Sequence, residues 1–275
     1  MKTKQIAKLF FINSLLLLTA TTSMCQMMVM PRFIDEYNIV DSSRVIVQYS
    51  LEFVNDPNNP GSVDTDIIIL EIGTKVSKSY SYSLLKHDSI ATANKRSSGV
   101  PMLQIAVPPV EVFKNYPTDK NTIVHRAPLS APIFLYQDEI NIEWTILPQN
   151  KQISGYRCQK AIATFRGRTW EAWFTSQIPV SDGPWKFHGL PGLILEVSDD
   201  QSHFRFTCIG LSREKVPIKK WKWNYERTSR NRVNSILYRY AESPYIVGPQ
   251  IGIKFGFVDS SLKDKSIPYN PLELE

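Results

Sequence analysis

The sequence is poor in the residues that most often carry chemistry. Its four histidines, His87, His125, His188 and His203, stand apart in the chain. None belongs to a His-Glu-x-x-His pair, which excludes the helix-borne zinc hydrolase arrangement, and no serine sits in a Gly-x-Ser-x-Gly elbow. No Gly-Lys-Ser/Thr follows a glycine-rich turn, so there is no phosphate loop. Cysteine is limited to Cys25, Cys158 and Cys208, too few for an all-cysteine zinc site. Charge of one sign is also scarce. Lys and Arg number 32 against 26 Asp and Glu, and removing Lys2, Lys4 and Lys8 (32 − 3 = 29) leaves a surplus of only +3. That balance does not argue for nucleic acid. Composition and motifs therefore imply no catalytic set, no cofactor and no metal.

The chain begins with Lys2, Lys4 and Lys8, then an apolar run from Leu9 to Ala20 broken by Asn13, Ser14 and Thr19. Ser23 and Cys25 place small residues around a cleavage point before Gln26. This layout predicts a secretory signal peptide over 1–25. The run is shorter than the ~20 residues of a spanning helix, and no second long apolar segment follows. Lipidation of Cys25 is the competing reading, disfavoured by the large Met24 before it. Residues 26–275 should form a single β-rich domain, a length at which all-β chains often build one core. Export would place Cys158 and Cys208 in an oxidising compartment, where a disulfide between them is expected; two buried free thiols are the alternative.

Period-2 patterning dominates. Over 44–54, Val45, Val47, Tyr49, Leu51 and Phe53 alternate with other residues; 66–73 is more continuously apolar, as in a central strand. Residues 75–85 place Tyr80 and Tyr82 on one side and serines on the other, and 86–98 read as a short helix or polar loop. In 226–242, Val233, Ile236, Leu237 and Tyr240 fall at i, i+3, i+4 and i+7, one apolar helical stripe. The expected fold is mainly β, an antiparallel curved sheet or open barrel with one substantial C-terminal helix.

The stretch GPWKFHGLPGLILE, residues 183–196, is the most distinctive. Pro191-Gly192 suits the centre of a type II turn, because proline presets φ and glycine accepts φ > 0. Gly183-Pro184 makes an earlier bend, with Trp185 and Phe187 pointing one way and Lys186 and His188 the other. The strand pattern after Gly192 leaves Gly189, Pro191 and Gly192 a conformational role. Leu190 and Leu193 either pack into the core or stay exposed for a partner. Over 169–175, Trp173 lies opposite Trp170 and Phe174; over 218–225, Trp221, Trp223 and Tyr225 share a face with Lys220 and Lys222 opposite. Trp173, Trp185, Leu190, Leu193, Trp221 and Trp223 are thus candidates to bind an apolar ligand or an envelope protein on a concave sheet. Two other readings are an envelope hydrolase using His188 or His203 with Asp199 or Asp200, and copper handling by Met27, Met28 and Met30, whose thioethers suit Cu(I).

Residues 141–200 also resemble a known group. Trp144, Lys151, Gly155-Tyr156, Cys158, Lys160-Ala161, Gly167-Arg168, Ala172-Trp173, Ile178-Pro179, Gly183-Pro184 and Gly189 to Ile194 are similar to the hallmark elements of the GLPGLI family. The closing YNPLELE (269–275) looks like that family's usual end. The resemblance implies an exported protein of a Gram-negative bacterium, in the periplasm or associated with the outer membrane, and brings no catalytic residue. The strands ending in a helix also look like the open β-barrel of periplasmic lipoprotein carriers, an analogy of fold alone.

Overall fold

A computed structural model describes residues 29–95, 107–129, 131–253 and 265–275. The signal segment 1–25, Met27 and Met28 lie outside these residues. The chain is mainly β. Its first half supplies β1 (Tyr37–Ser42), β2 (Val45–Val54), β3 (Val63–Ile72), β4 (Ser77–Ser81), β5 (Val110–Lys114), β6 (Asn121–Arg126) and β7 (Ile133–Asp138), with α1 (Tyr82–Ala93) between β4 and β5. The second half supplies β8 (Thr145–Ile153), β9 (Tyr156–Phe165), β10 (Arg168–Thr175), β11 (Leu193–Asp199), β12 (Phe204–Ser212), β13 (Pro217–Trp221) and β14 (Tyr225–Arg227). Two helices follow, α2 (Arg230–Glu242) and α3 (Pro244–Gln250).

Twelve strands form one sheet in the order β14-β7-β6-β5-β4-β3-β2-β12-β11-β10-β9-β8, antiparallel except where β14 meets β7. It does not close: β14 and β8 remain as edges. β1 and β13 make a separate antiparallel pair. Alternation drives the pairing. Val47, Tyr49, Leu51 and Phe53 of β2 are buried, while Gln48 and Glu52 between them are exposed. Two tight hairpins use residue pairs with positive φ throughout, Ser154-Gly155 between β8 and β9 and Arg166-Gly167 between β9 and β10. This is the two-residue turn whose twist matches paired strands.

Local capping overrides one expectation. Residues 75–85 are not a continuous strand, because the Ser81 hydroxyl accepts the Leu84 N–H and starts α1 at Tyr82. The expected helix over 226–242 begins instead at Arg230, capped by Ser229, whose hydroxyl accepts from Arg232. A single substantial helix is replaced by three, of which α1 has 12 residues and α2 has 13. The expected disulfide is not shown. Cys158 on β9 and Cys208 on β12 are buried free thiols, with β10 and β11 between their strands. Each sulfur turns to a carbonyl of its own strand, Tyr156 at 3.6 Å and Gly210 at 3.7 Å. Burial pushes the Cys158 thiol up to about 11, with Cys208 adding to the shift.

The main core lies on the sheet face that carries Tyr49, Leu51, Leu70, Val112 and Phe206. A smaller core, with Val76, Phe113, Val124, Ile133 and Leu135, lies on the other face and packs against Val40 of β1 and the aromatic residues Trp223 and Tyr225.

Candidate functional site

The loop between β10 and β11 fills the inner face. Lys114 of β5 is buried there; its ammonium donates to the carbonyls of Gly183 (2.6 Å) and Phe187 (3.1 Å) and pairs with Asp182. Burial lowers the Lys114 pKa, and the Asp182 charge opposes that shift. The Trp185 N–H donates to the Ser79 hydroxyl of β4 at 2.9 Å. The Phe187 N–H returns to the Pro184 carbonyl at 3.0 Å, with Trp185 at φ 50°. This is a turn, so side chains do not alternate between faces as a strand pattern implies: Trp185, Lys186 and Phe187 are all buried. Phe187 meets Trp170 edge-on at 4.7 Å, Trp185 at 5.1 Å and Phe206 at 6.1 Å. Such pairs contribute about 0.5–1.5 kcal/mol each beyond their burial.

The Pro191-Gly192 turn is tighter than a type II turn. The Gly192 N–H donates to the Leu190 carbonyl at 2.8 Å, and the Leu193 N–H donates to the Ile178 carbonyl at 3.1 Å. This is the two-residue span of an inverse γ-turn centred on Pro191. Glycine is required at 192 by proximity: a Cβ there would lie 2.1 Å from the Thr175 carbonyl oxygen. Leu190 and Leu193 are both buried. Together these contacts make the segment a filling for the curved sheet.

Lys186 is the unexpected residue. It is 1% exposed, bonds Asp138 at 2.5 Å, and pairs with Glu273. Arg166 holds the other oxygen of Asp138 at 2.8 Å, and Arg230 holds that of Glu273 at 2.9 Å. Arg168, also buried, bonds Asp199 at 2.7 Å, the Asn270 side chain at 2.6 Å and the Pro271 carbonyl. Segment 269–275 is thereby strapped across the β9–β10 hairpin, with the Leu274 N–H on the Arg166 carbonyl at 3.0 Å.

A second charged layer lies on the outer face. Lys78 bonds Glu111 at 3.0 Å and the Lys219 carbonyl at 2.9 Å. The Trp221 indole donates to Glu111 at 3.1 Å, and Arg126 pairs with Asp88 of α1 while lying 4.6 Å under the Trp223 ring. Burial raises the Glu71 pKa, with the Lys78 charge opposing. Above this layer runs an aromatic ladder, Trp221 to Trp223 and Trp223 to Tyr225, each 6.2 Å between centroids. Lys219 sits 4.2 Å over Tyr37, and Lys220 sits 4.3 Å over Tyr225. The expected strand over 218–225 is broken: β13 ends at Trp221 and the chain joins the large sheet again only at Tyr225.

The candidate binding residues do not converge. Trp185 lies inside, beside a small apolar cleft of about 20 Å³ lined by Leu51, Ile68, Val110, Val112 and Phe206. That is below the roughly 300–1,000 Å³ of ordinary ligand pockets. Trp173 is covered elsewhere, with Lys151 4.4 Å and Lys160 5.7 Å from its ring and its indole on Glu171. Trp221 and Trp223 belong to the outer ladder. Of the His/Asp candidates, Asp199 is bound by Arg168 and by the Phe204 N–H at 2.8 Å, and His188 lies among Lys114 and Asp182, its pKa lowered mainly by burial. No metal-holding group of three His, Cys, Asp or Glu occurs among the described residues. None of their helices is long and apolar enough to cross a membrane. Sequence reasoning missed Lys186, Lys114 and Arg168, since a buried cation carries no local pattern; the run of basic residues between aromatics at 219–225 was the signal for the outer face.

Fold and site thus define a mainly β chain built around an internal loop, with an aromatic and basic outer face. Within it, residues 164–196, which span β10 and that loop, match the family described as "Protein of unknown function (Porph_ging)". No curated protein matches the chain. Two crystal forms of PNGF-II align over 74% of this chain and 34% of theirs, at 14% and 15% identity and a TM-score of 0.48. The chain therefore spans about a third of the length of PNGF-II. An uncharacterized conserved protein from Thermus thermophilus aligns over 67% of this chain and 91% of that one, at 6% identity and a TM-score of 0.35.

Proposed function

We propose that this is a non-catalytic binding module of the cell envelope that holds its partner on the outer face of β1, β13 and β14. One observation carries the reading. Among the described residues, Lys219, Lys220, Lys222 and Arg227 enter no ion pair, although the buried Glu71 and Glu111 act on Lys219 and Lys220 from below. The segment 215–227 holds five basic residues against one acidic, Glu226. Lys219 and Lys220, held on aromatic rings and in no ion pair, leave charge for a partner.

The export signal over 1–25, a single domain over 26–275 and membership of the GLPGLI family are part of this proposal, supported by the N-terminal pattern and the 141–200 motifs. The inner face is the weaker candidate for an apolar ligand, because Trp185, Phe187 and Leu190 occupy it. The cleft beside Trp185, about 20 Å³, is too small for an apolar ligand.

The test is co-sedimentation of the full-length chain with isolated envelope fractions, beside the K219E/K220E/K222E variant, with near-ultraviolet circular dichroism as the fold control. The wild type should sediment at low salt and lose binding as salt rises, and the variant should stay in solution. Equal sedimentation of the two would overturn the reading.

A further inference from the structure

Resting on that reading, we infer that the ligand of the outer face is an anionic polysaccharide, its sugar rings against Trp223, Tyr225 and Tyr37 and its acidic groups against Lys219, Lys220 and Lys222. Three observations select this chemistry. The first is the pairing of cation with ring. The lysine heads sit 4.2 and 4.3 Å over Tyr37 and Tyr225, so each cation lies against an aromatic face. A polymer of sugar acids carries the complement: an apolar C–H face on each ring and a repeated negative charge at its edge.

The second is the use of lysine. Lysine is depleted from the cores of protein–protein interfaces, where arginine and aromatics are favoured. Here three lysines and one arginine enter no ion pair among the described residues; Glu226 adjoins them in sequence, and Glu36 meets them only through its backbone carbonyl, which accepts the Lys222 N–H at 2.9 Å. Lysine keeps a strongly hydrated point charge, which suits many weak contacts along a repeating anion more than one forked contact to a protein carboxylate. Like charge is already crowded: burial lowers the Lys220 pKa most, Arg227 and Lys78 add to the shift, and Glu111 opposes it.

The third argues against a membrane. An interfacial anchor must push its apolar side chains several ångströms into the lipid boundary. These indoles are instead tied to the body of the protein, Trp221 to Glu111 at 3.1 Å and Trp223 to the Phe33 carbonyl at 2.7 Å.

The experiment is affinity electrophoresis of the full-length chain through gels containing polygalacturonate, carboxyl-reduced polygalacturonate or dextran sulfate. Trp223→Ala and Lys220→Gln are run beside the wild type. Sedimentation with phosphatidylglycerol vesicles and filter binding to a single-stranded oligonucleotide complete the set. Polygalacturonate should retard the wild type, the reduced polymer should not, and each variant should bind about tenfold more weakly. Retardation that both polyanions share and that Trp223→Ala leaves unchanged would reduce the site to ion exchange and overturn the inference. Binding to vesicles or oligonucleotide with no binding to polygalacturonate would also overturn it. If the chain still sediments with envelope fractions in a lysine-dependent way while ignoring polygalacturonate, the ligand class fails and the binding module stands. If neither binding occurs, both fail.

Discussion

Replacing Lys186 by methionine isolates the buried charge network that locks the inner loop to segment 269–275. The side chains of Lys186, Asp138 and Glu273 are 1%, 5% and 10% exposed. Methionine fills most of the lysine stem's volume, so the main loss is the charge. Removing one member of a buried ion pair costs about 3–5 kcal/mol, because the other charge is left without compensation. Here each carboxylate keeps an arginine, Arg166 at 2.8 Å and Arg230 at 2.9 Å. The cost should therefore lie near the lower end, about 3 kcal/mol. With a urea m-value of roughly 2–3 kcal/mol/M, the midpoint should fall by about 1–1.5 M. Tryptophan fluorescence and circular dichroism followed together check that one transition is being read. A cycle with Glu273→Gln should give a coupling of about 1–3 kcal/mol. The triple change Asp138→Asn, Lys186→Met, Glu273→Gln should recover part of the loss, since no unpaired charge remains. A Lys186→Met midpoint within about 0.2 M of wild type, or strictly additive losses, would refute the assignment.

Other expectations follow from neighbouring contacts. Gly192→Ala places a methyl 2.1 Å from the Thr175 oxygen, and the forced backbone shift should cost about 3 kcal/mol or more; a melting temperature equal to wild type contradicts the close approach. Cys158 and Cys208 should resist a thiol reagent in the native protein and both react after unfolding without reductant, whereas a count of zero would mean that a bridge had formed. His125 is held down to about 4 by burial and by the Lys186 charge, from an ordinary 6.5. The unfolded chain therefore binds the extra proton between these values. Stability should be intact above pH 6.5 and fall toward pH 4, by at most about 1.4 kcal/mol per unit. His125→Gln should flatten that arm of the urea midpoint against pH, and parallel profiles would exclude His125 as its source.

Strands were legible wherever alternation met burial on one face, as in 44–54 and 193–197. They were misread where one side chain decides the backbone, as when Ser81 caps α1. The inner loop was recognisable as a set of turns, but its contents were not. Lys186 finds its partners 48 and 87 residues away, and no local pattern marks a lysine that will be buried. The outer face was half legible. The spacing of Trp221, Trp223 and Tyr225 is printed in the chain, whereas β1 pairs with β13 across about 180 residues, so Tyr37 could not be placed with them. Two cysteines on apolar strands suggested a bridge; both are buried thiols in the structure, as their apolar strands imply.

The inner loop has a consequence for any molecule that competes for its place. It is an occupant tethered at both ends, to Thr175 of β10 and Leu193 of β11, so its effective concentration at the inner face is set by the chain itself. Short tethers give effective concentrations of about millimolar or above. A free hydrophobic compound would have to displace Trp185, Phe187 and Leu190 together and strand Lys114 and Lys186 from their acceptors. Small molecules at ordinary cellular levels should leave the loop in place.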